Sequence, residues 1–250
     1  MREESLRRRA AKVLPPPERK AEYVREMFTQ IAPAYDRINR LMTFGLDRQW
    51  RRWTVLHANL RPGDRALDVA TGTGDIALEL ARRVGPVGTV IGTDFSDGML
   101  RLARSKARAA GLEDVVRFQW ADALDLPFGD GEFDAATVGF AGRNVTDLHR
   151  FFSEMRRVVR PGGRVVHLEI SRPTQPVLSA LFRLYFYNVI PALEGRLAGA
   201  RSAYTYLPNS LTLFPSVEDL AKIMREAGLV DVQYYPLTFG TVTIHVGVAP

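Results

Sequence analysis

The sequence predicts an α/β fold of the Rossmann-like kind, with a mostly parallel seven-stranded sheet that ends in an antiparallel hairpin strand. Three observations support this fold class. From residue 65 onward, short apolar runs alternate with amphipathic segments of helical period. A glycine-rich turn follows the first apolar run, and a short turn at Phe239-Gly240 joins the last two. The alternation predicts parallel strands, whereas the final turn predicts an antiparallel pair.

Each element is bounded by its apolar period and by the residues that interrupt it. The strands are predicted at Ala66–Ala70, Thr89–Thr93, Val115–Trp120, Ala135–Val138, Arg164–Ile170, Val232–Leu237 and Thr241–Val248. The helices are predicted at Ala21–Ile31, Asp47–Asn59, Asp75–Arg83, Asp97–Ala110, Thr146–Val159 and Val217–Ala227. The first two helices precede the first strand and are expected to cap the sheet, the second with Trp50, Trp53 and Leu56 on one face.

Composition also predicts the domain organisation. Residues 1–20 form a basic arm with Arg7-Arg8-Arg9, which is expected to be flexible and to end at Pro15-Pro16-Pro17. Residues 21–250 are expected to form a single domain. Within it we expect N-terminal cap helices in residues 21–60 and an insertion on the substrate side of the sheet in residues 172–215.

Several classes of site are excluded by residue counts. Apolar residues make up 46% and charged residues 25% of the 250 positions, a balance that supports a buried core. The chain has no cysteine, and His57, His149, His167 and His245 lack metal-ligand spacing. A disulfide, a thiolate zinc site and a cysteine nucleophile are therefore excluded, and no metal is predicted.

Charge and hydropathy bear on partners and location. The net charge of +6 admits an RNA-binding module, but no strand interleaves aromatic residues with cations, so nucleic acid is not predicted. Residues 1–20 lack an apolar core, and Val177–Ala200 is interrupted by charges and a proline. These observations predict a cytoplasmic protein. The basic arm is either a solvated tail or a peripheral contact with anionic lipid at the inner face of the membrane.

The most informative segment is Leu67–Asp75, where an apolar strand ends in a glycine-rich turn that opens a helix. Gly72 and Gly74 let the backbone approach a ligand, toward which the helix points its free N–H groups. Asp94 lies twenty residues beyond Gly74, where a carboxylate can hold a ribose diol. These features fit NAD and S-adenosylmethionine almost equally. A tight turn that merely packs helix on sheet is a third interpretation.

Two further carboxylates favour S-adenosylmethionine. Asp68, within the first strand, can orient the loop or reach the amino group of a methionine moiety, and Asp122 can accept from an adenine amino group. Each also has a structural interpretation, as a partnered carboxylate for Asp68 and as a turn or cap residue for Asp122. With Asp94 they outline a cleft along the carboxyl ends of successive strands, where open α/β sheets bind ligands.

Segments throughout the chain resemble one known family. They are the glycine loop, Met27-Phe28, Ile31-Ala32-Pro33-Ala34-Tyr35-Asp36, Asn39, Phe44-Gly45-Leu46-Asp47-Arg48-Gln49-Trp50-Arg51-Arg52, Arg143-Asn144-Val145-Thr146-Asp147, Arg160-Pro161-Gly162-Gly163-Arg164, Glu169-Ile170-Ser171-Arg172-Pro173, Tyr204-Thr205-Tyr206-Leu207-Pro208-Asn209-Ser210 and Ile244-His245-Val246-Gly247. From about Val24 to Val248, the sequence resembles the ubiquinone and menaquinone biosynthesis C-methyltransferases. The resemblance implies the class I methyltransferase fold for the whole single domain.

The resemblance also implies S-adenosylmethionine as the cofactor. The residues expected to bind it are Asp68, Gly72, Thr73, Gly74, Asp94, Asp122, Ala123 and Gly139. Carried over by position, Thr73 lies in the loop, Asp94 at the ribose and Asp122 with Ala123 at the adenine. Gly139 lies near the sulfonium, where the family often has serine. The segment Phe140-Ala141-Gly142-Arg143 departs from the family's usual Phe-Gly-Leu-Arg, which leaves the fine shape of the pocket open.

The implied reaction is methylation of a ring carbon of a reduced, prenylated quinone. Carbon is a weak nucleophile, so a phenolic proton, with a pKa of about 10, must leave to raise the electron density at the ring carbon. Arg143 fits the role of a cation that lowers this pKa, and Asn144 that of a group orienting a water or a hydroxyl. Candidate proton acceptors are Tyr35, Asp36, Tyr204, Tyr206 and His245. Among catalytic candidates, Arg143 with Asn144 ranks first, Tyr35 second and His245 third.

Several alternatives stay open at this point. Demethylmenaquinol is favoured as substrate over the benzoquinol of ubiquinone biosynthesis, and an NAD-dependent oxidoreductase is the alternative from another enzyme class. The segment Val177–Leu193 is either a helix packed on the sheet or, with the N-terminal helices, a channel or lid for an isoprenoid tail. The sequence leaves the oligomeric state open, with a homodimer as one expectation.

Overall fold

The computed structural model describes residues 8, 10–186 and 201–250, which contain the predicted mixed sheet. Its strands are β1 (Arg65–Val69), β2 (Thr89–Asp94), β3 (Val116–Trp120), β4 (Phe133–Gly139), β5 (Val159–Ile170), β6 (Val230–Leu237) and β7 (Val242–Val248). They lie in the order β3-β2-β1-β4-β5-β7-β6. Strands β1 to β5 pair in parallel, whereas β7 is antiparallel to both β5 and β6. The predicted fold class is confirmed, including its final hairpin.

Helices cover both faces of this sheet. They are α1 (Pro17–Met42), α2 (Leu46–His57), α3 (Asp75–Val84), α4 (Asp97–Ala109), α5 (Leu148–Val158), α6 (Pro176–Leu184), α7 (Arg201–Leu213) and α8 (Val217–Glu226). Neighbouring strand residues face opposite apolar clusters, since Ala66 packs with Leu80 of α3 whereas Leu67 packs with Phe152 of α5. The sheet is therefore buried on both sides, and the carboxyl ends of β1, β2 and β4 meet at one edge.

The first helix is longer than the sequence predicts. It begins at Pro17 instead of Ala21 and continues past Ile31, through Pro33, to Met42. Proline inside a helix removes one backbone hydrogen bond, but tertiary packing on both sides of it outweighs that loss. Val24, Met27, Ala32 and Ile38 are all buried along this helix. Residues 17–20 belong to α1 and residues 10–13 are also helical, whereas residues 1–7 and 9 lie outside the described part. The flexibility of the basic arm stays a prediction.

Helix α2 does not bury the whole face predicted from Trp50, Trp53 and Leu56. Trp50, Thr54 and Val55 are buried, whereas Leu56 is largely exposed and Trp53 partly so. The buried face also carries an ion pair between Arg51 and Asp47. The buried face of α2 therefore includes a charged pair that the apolar pattern does not predict.

The predicted helix at Val177–Leu193 is described only in its first half. Helix α6 spans Pro176–Leu184, and residues 187–193 lie outside the described part of the chain. Every residue of α6 is at least partly exposed, although most of its side chains are apolar. None of the helices in the described residues has the length and apolar character needed to cross a bilayer.

Candidate active site

The glycine loop joins β1 to α3 at the carboxyl edge of the sheet. Three residues in it, Ala70, Gly72 and Gly74, adopt positive φ angles of 51°, 58° and 84°. A Cβ atom on Gly74 would lie 2.9 Å from the Phe118 ring and 3.0 Å from the Ala103 side chain. Gly74 is thus required for close packing of the loop against β3 and α4, and Gly72 for the turn beside the cavity.

Asp94, at the end of β2, fixes the glycine loop through backbone hydrogen bonds. Its Oδ2 atom accepts a hydrogen bond from the Gly72 N–H at 2.9 Å, and its Oδ1 atom accepts from the Ser96 N–H at 2.8 Å. Burial raises the pKa of this carboxyl to about 6, and the backbone hydrogen bonds oppose the shift. Each oxygen retains lone-pair capacity, so Asp94 can position the loop and still accept from a ribose hydroxyl.

Asp68 supports the loop from within β1. It accepts hydrogen bonds from the Thr71 hydroxyl at 2.5 Å and from the Thr137 hydroxyl at 2.7 Å. Its side chain is buried among these partners, which corresponds to the loop-orienting interpretation and leaves the amino-group contact unsupported. Burial raises the pKa of the Asp68 carboxyl to about 6 against the effect of both hydroxyls.

The two raised pKa values predict how stability depends on pH. Asp68 and Asp94 bind protons more tightly in the folded than in the unfolded chain, so their contribution to stability falls as the pH rises from about 4 through 6. Asp68→Asn removes this pH-dependent loss of stability at one of the two carboxyl groups. Relative to wild type, the variant should gain about 1 to 2 kcal/mol of unfolding free energy between pH 4.5 and pH 7.5.

Urea denaturation at the two pH values measures this difference. Asp122→Asn is the matched control, because it makes the same substitution at an exposed position. Lost hydrogen bonds shift the Asp68→Asn curve equally at both pH values and so do not affect the comparison. A variant that follows wild type in parallel across this range would contradict the raised pKa of Asp68.

A cavity of about 500 Å³ lies above the loop. We call it the loop cavity, and its lining includes Gly72, Asp94, Asp122, Ala123 and Gly139. Five of the eight residues predicted to bind the cofactor are therefore brought together. Asp122 is exposed at its rim and accepts a hydrogen bond from the Leu124 N–H at 2.9 Å, so it also serves as a turn residue.

Thr73 points away from the loop cavity in this structure. Its hydroxyl donates to Asp36 Oδ1 at 2.6 Å and accepts from Lys106 Nζ at 3.2 Å. Lys106 also pairs with Asp36 and Asp75, and Asp75 lies 3.5 Å from Arg51. This charged cluster ties α1, α2 and α4 to the glycine loop. The cofactor contact implied for Thr73 stays a prediction. Asp36, a candidate proton acceptor, is bound to Thr73 and Lys106 in this cluster.

A second cavity, of about 270 Å³, adjoins the first. We call it the apolar cavity, and its lining includes Met27, Ile31, Ile38, Met42, Trp50, Phe182, Tyr185, Phe186 and Leu207. Four residues line both cavities: Phe28, Tyr35, Phe140 and Asn144. A group in the loop cavity and a group in the apolar cavity can therefore approach each other at this junction.

Arg143 lies beside the junction and lines the apolar cavity. Its Nη1 atom donates to Glu169 Oε1 at 2.5 Å and to the Phe140 carbonyl at 2.8 Å. The guanidinium is nine-tenths buried and Glu169 is almost fully buried, so this pair is shielded from water. Sequence reasoning missed Glu169, although a lone carboxylate at the end of an apolar strand requires a partner.

Tyr35 and Asn144 provide polar atoms at the same place. Burial raises the pKa of the Tyr35 hydroxyl, while a hydrogen bond from Asn39 and the charge of Arg143 oppose the shift. Tyr35 therefore keeps its proton at neutral pH and acts as a hydrogen-bond partner in preference to a base. The Asn144 Oδ1 atom is buried and has no hydrogen-bond partner among the described residues, which leaves it available to a ligand donor.

The remaining predicted proton acceptors are placed differently. His245 faces the α8 side of β7, where its Nε2 atom lies 2.9 Å from the Val217 carbonyl and its ring 6.1 Å from that of His167. The period of two along β7 thus directs His245 away from the lining of both cavities. Tyr206 lines the apolar cavity, and burial raises its pKa. The side chain of Tyr204 lies outside the described part.

Fold and site together define the class of the protein. The strand order, the loop held by a carboxylate and the adjoining apolar cavity are the layout of an α/β methyltransferase that uses S-adenosylmethionine. Residues 17–249 match the ubiE/COQ5 methyltransferase family, and the chain belongs to that family. Of the two cofactors that the loop alone allowed, membership selects S-adenosylmethionine.

Individual relatives agree with this assignment. The chain is 49% identical over 224 residues to the demethylmenaquinone methyltransferase of Thermus thermophilus, a match covering 90% of this chain and 100% of that protein. It is 47% identical over 236 residues to the demethylmenaquinone methyltransferase of Roseiflexus sp. (strain RS-1), covering 94% and 97%. A solved SAM-dependent methyltransferase from Aquifex aeolicus superposes with a TM-score of 0.62 at 18% identity, covering 86% of this chain and 98% of that one. This last likeness supports the fold.

Proposed function

We propose that this protein methylates a ring carbon of reduced demethylmenaquinone, a prenylated naphthoquinol. The observation that carries the proposal is the buried Arg143–Glu169 pair, which lies beside the junction of the loop cavity and the apolar cavity. A cation fixed in that position suits an aromatic acceptor that must become an anion to react. The names of the two relatives favour the naphthoquinol over the benzoquinol.

The loop cavity offers hydrogen-bond acceptors and space that suit the cofactor. Asp94 offers carboxylate lone pairs for a ribose diol, and Gly72 brings backbone close to the ligand. Gly139 contributes backbone alone to the lining, and a Cβ atom there would lie 2.6 Å from Ile76 Cδ1. When bound, S-adenosylmethionine supplies an electrophilic methyl group on a positively charged sulfur. The lining residues bind and orient it toward the junction.

Arg143 promotes loss of a phenolic proton from the acceptor. Its charge is held in place by Glu169 and the Phe140 carbonyl, so stabilising the phenolate requires little rearrangement. Tyr35 and Asn144, which line both cavities, can hold the acceptor hydroxyl or a water that takes its proton. The ring carbon then takes the methyl group while the sulfur–methyl bond breaks, so that S-adenosylhomocysteine would be the leaving group. Loss of the proton from that carbon to water restores the aromatic ring.

The apolar cavity supports a prenylated acceptor over a small polar one. Its lining is dominated by aliphatic and aromatic side chains contributed by α1, α2 and the segment around α6. Burial of apolar tail surface against these side chains contributes about 25 cal/mol per Å² to binding. Phe44 and Leu46, both exposed, lie at its outer edge, so a tail longer than the cavity can extend outward.

Transfer of label from methyl-labelled S-adenosylmethionine tests the proposal. In detergent we expect label in demethylmenaquinol, and at least about tenfold lower kcat/KM with the benzoquinol of ubiquinone biosynthesis, because an apolar pocket discriminates by about 1–3 kcal/mol per missing group. The oxidised quinone is the control, since it has no phenolic proton to lose. Label in neither quinol would refute the proposal, and equal labelling of both would refute the stated preference.

A further inference from the structure

Two phenylalanines are displayed to solvent by strained turns. Phe44, between α1 and α2, has a φ of 51° and is 80% exposed. Phe239, in the hairpin turn before β7, has a φ of 58° and is 81% exposed. A large non-glycine residue in the left-handed region costs energy, and a ring that is largely exposed offsets little of that cost by packing. Such a cost at two separate turns calls for an external contact.

Both turns contribute lining residues to the apolar cavity. Phe44 lines it, and its ring centroid is 6.2 Å from that of Tyr185. Phe239 directly follows Thr238, a lining residue whose hydroxyl accepts a hydrogen bond from Trp50 at 2.9 Å. Leu46 also lines the cavity, and the exposed Leu41 and Leu181 each adjoin a lining residue in the chain. Among the described residues, we call Leu41, Phe44, Leu46, Leu181 and Phe239 the apolar rim.

The exposed charged residues on the segments that carry the apolar rim are all arginines. Residues 37–57 contain the exposed Arg37, Arg40, Arg48 and Arg52, and their single acid, Asp47, is buried beside Arg51. Residues 171–185 add exposed Arg183 and no acid, and residues 234–241 carry no charge. The surface therefore combines exposed aromatic rings with arginines, which suits binding to anionic lipid headgroups.

We propose that the apolar rim docks on an anionic lipid bilayer, with Phe44 and Phe239 in its interface and the apolar cavity opening toward the acyl chains. This inference rests on the proposed function, because a prenylated quinol is delivered from a bilayer. A second copy of the chain is a poorer occupant, since it would bring arginines against arginines. A protein partner seated there would also cover the mouth of the cavity.

Flotation with vesicles tests the docking. Wild type should float with phosphatidylcholine vesicles that contain phosphatidylglycerol and bind vesicles of phosphatidylcholine alone far less. Phe44→Asn and Phe239→Asn should each weaken binding by about tenfold, because each removes one buried aromatic ring while asparagine tolerates the left-handed backbone. Val87→Asn is the matched control, since Val87 is 78% exposed on the turn before β2 and should not affect flotation.

An activity assay separates this inference from the proposed function. With quinol in detergent, Phe239→Asn should turn over like wild type, whereas with quinol embedded in the anionic vesicles its rate should fall with its binding. Absence of methyl transfer by wild type in detergent would contradict the proposed function alone. Binding that Phe44→Asn and Phe239→Asn leave unchanged would overturn the docking surface, as would a dimer in sedimentation equilibrium that both variants dissociate.

Discussion

Replacing Arg143 with alanine is expected to lower kcat by about 10²–10³-fold, the loss seen when one fixed electrostatic donor is removed from an active site. The guanidinium is buried and aimed at the junction by Glu169, so water cannot replace its charge effectively. Affinity for S-adenosylmethionine should change little, because Arg143 lines the apolar cavity and is absent from the lining of the loop cavity as described.

The experiment needs a second variant, because Arg143→Ala leaves the Glu169 carboxylate buried without its partner. Breaking a buried pair in this way costs about 3–5 kcal/mol of stability. Arg143→Ala combined with Glu169→Gln removes both charges and should restore the unfolding free energy without restoring kcat. In the same variants, the pH profile of kcat should move to higher pH, since the phenol is no longer acidified. Turnover at the wild-type rate in the folded double variant would remove Arg143 from the mechanism.

Glu169→Gln alone separates positioning from charge. Glutamine can accept a hydrogen bond from Arg143 but provides no negative charge, so the guanidinium stays nearby with less constraint. We expect a fall in kcat smaller than that of Arg143→Ala, with KM for the quinol nearly unchanged. An equally large loss would mean that Glu169 acts on the reaction directly.

The second large effect is expected at Asp94. Asp94→Ala should raise the Kd for S-adenosylmethionine by about 100-fold, because hydrogen bonds to a charged group are worth about 1.5–3 kcal/mol each. The variant loses the acceptor for the ribose and also releases the Gly72 N–H and the Ser96 N–H that hold the loop. Isothermal titration with S-adenosylmethionine measures the change, and NAD in the same cell should give no heat.

Asp122→Ala is the comparison for that titration. Asp122 lines the same cavity but is exposed, and its Oδ1 atom holds only the local Leu124 N–H among the described residues. Its removal should weaken binding by about tenfold, the value of a single hydrogen bond to a charged group. If Asp122→Ala weakened binding more than Asp94→Ala, the assignment of the ribose carboxylate would be wrong.

Local sequence patterns predicted the parts of the site that depend on local structure. The turn at Gly72 and Gly74 follows from glycine between a strand and a helix, and the position of Asp94 from the spacing of two parallel strands. Parallel strands align their carboxyl ends whatever the loops between them do. For this reason Gly139, at the end of β4, also lies in the loop cavity as expected.

Other parts followed from contacts between distant segments, and there the predictions were incomplete or wrong. Helix α1 continues through Pro33 because packing outweighs a local rule, and α2 buries an ion pair in place of Leu56. His245 belongs to a segment that resembles the family, yet β7 directs its side chain to the far face of the sheet. A motif match identifies a position in the chain without fixing the direction of the side chain.

The sequence by itself determined the fold class, the glycine loop and, through segments resembling a family, the chemistry of methyl transfer. Periodicity and turn residues act within a few positions of the chain, so these features can be read locally. Only the tertiary structure decided that Phe28, Tyr35, Phe140 and Asn144 line both cavities, and that Glu169 holds Arg143 beside their junction. Those residues come from α1, β5 and the turn after β4. Because these segments are far apart in the chain, a local sequence pattern cannot predict that their side chains share one buried space.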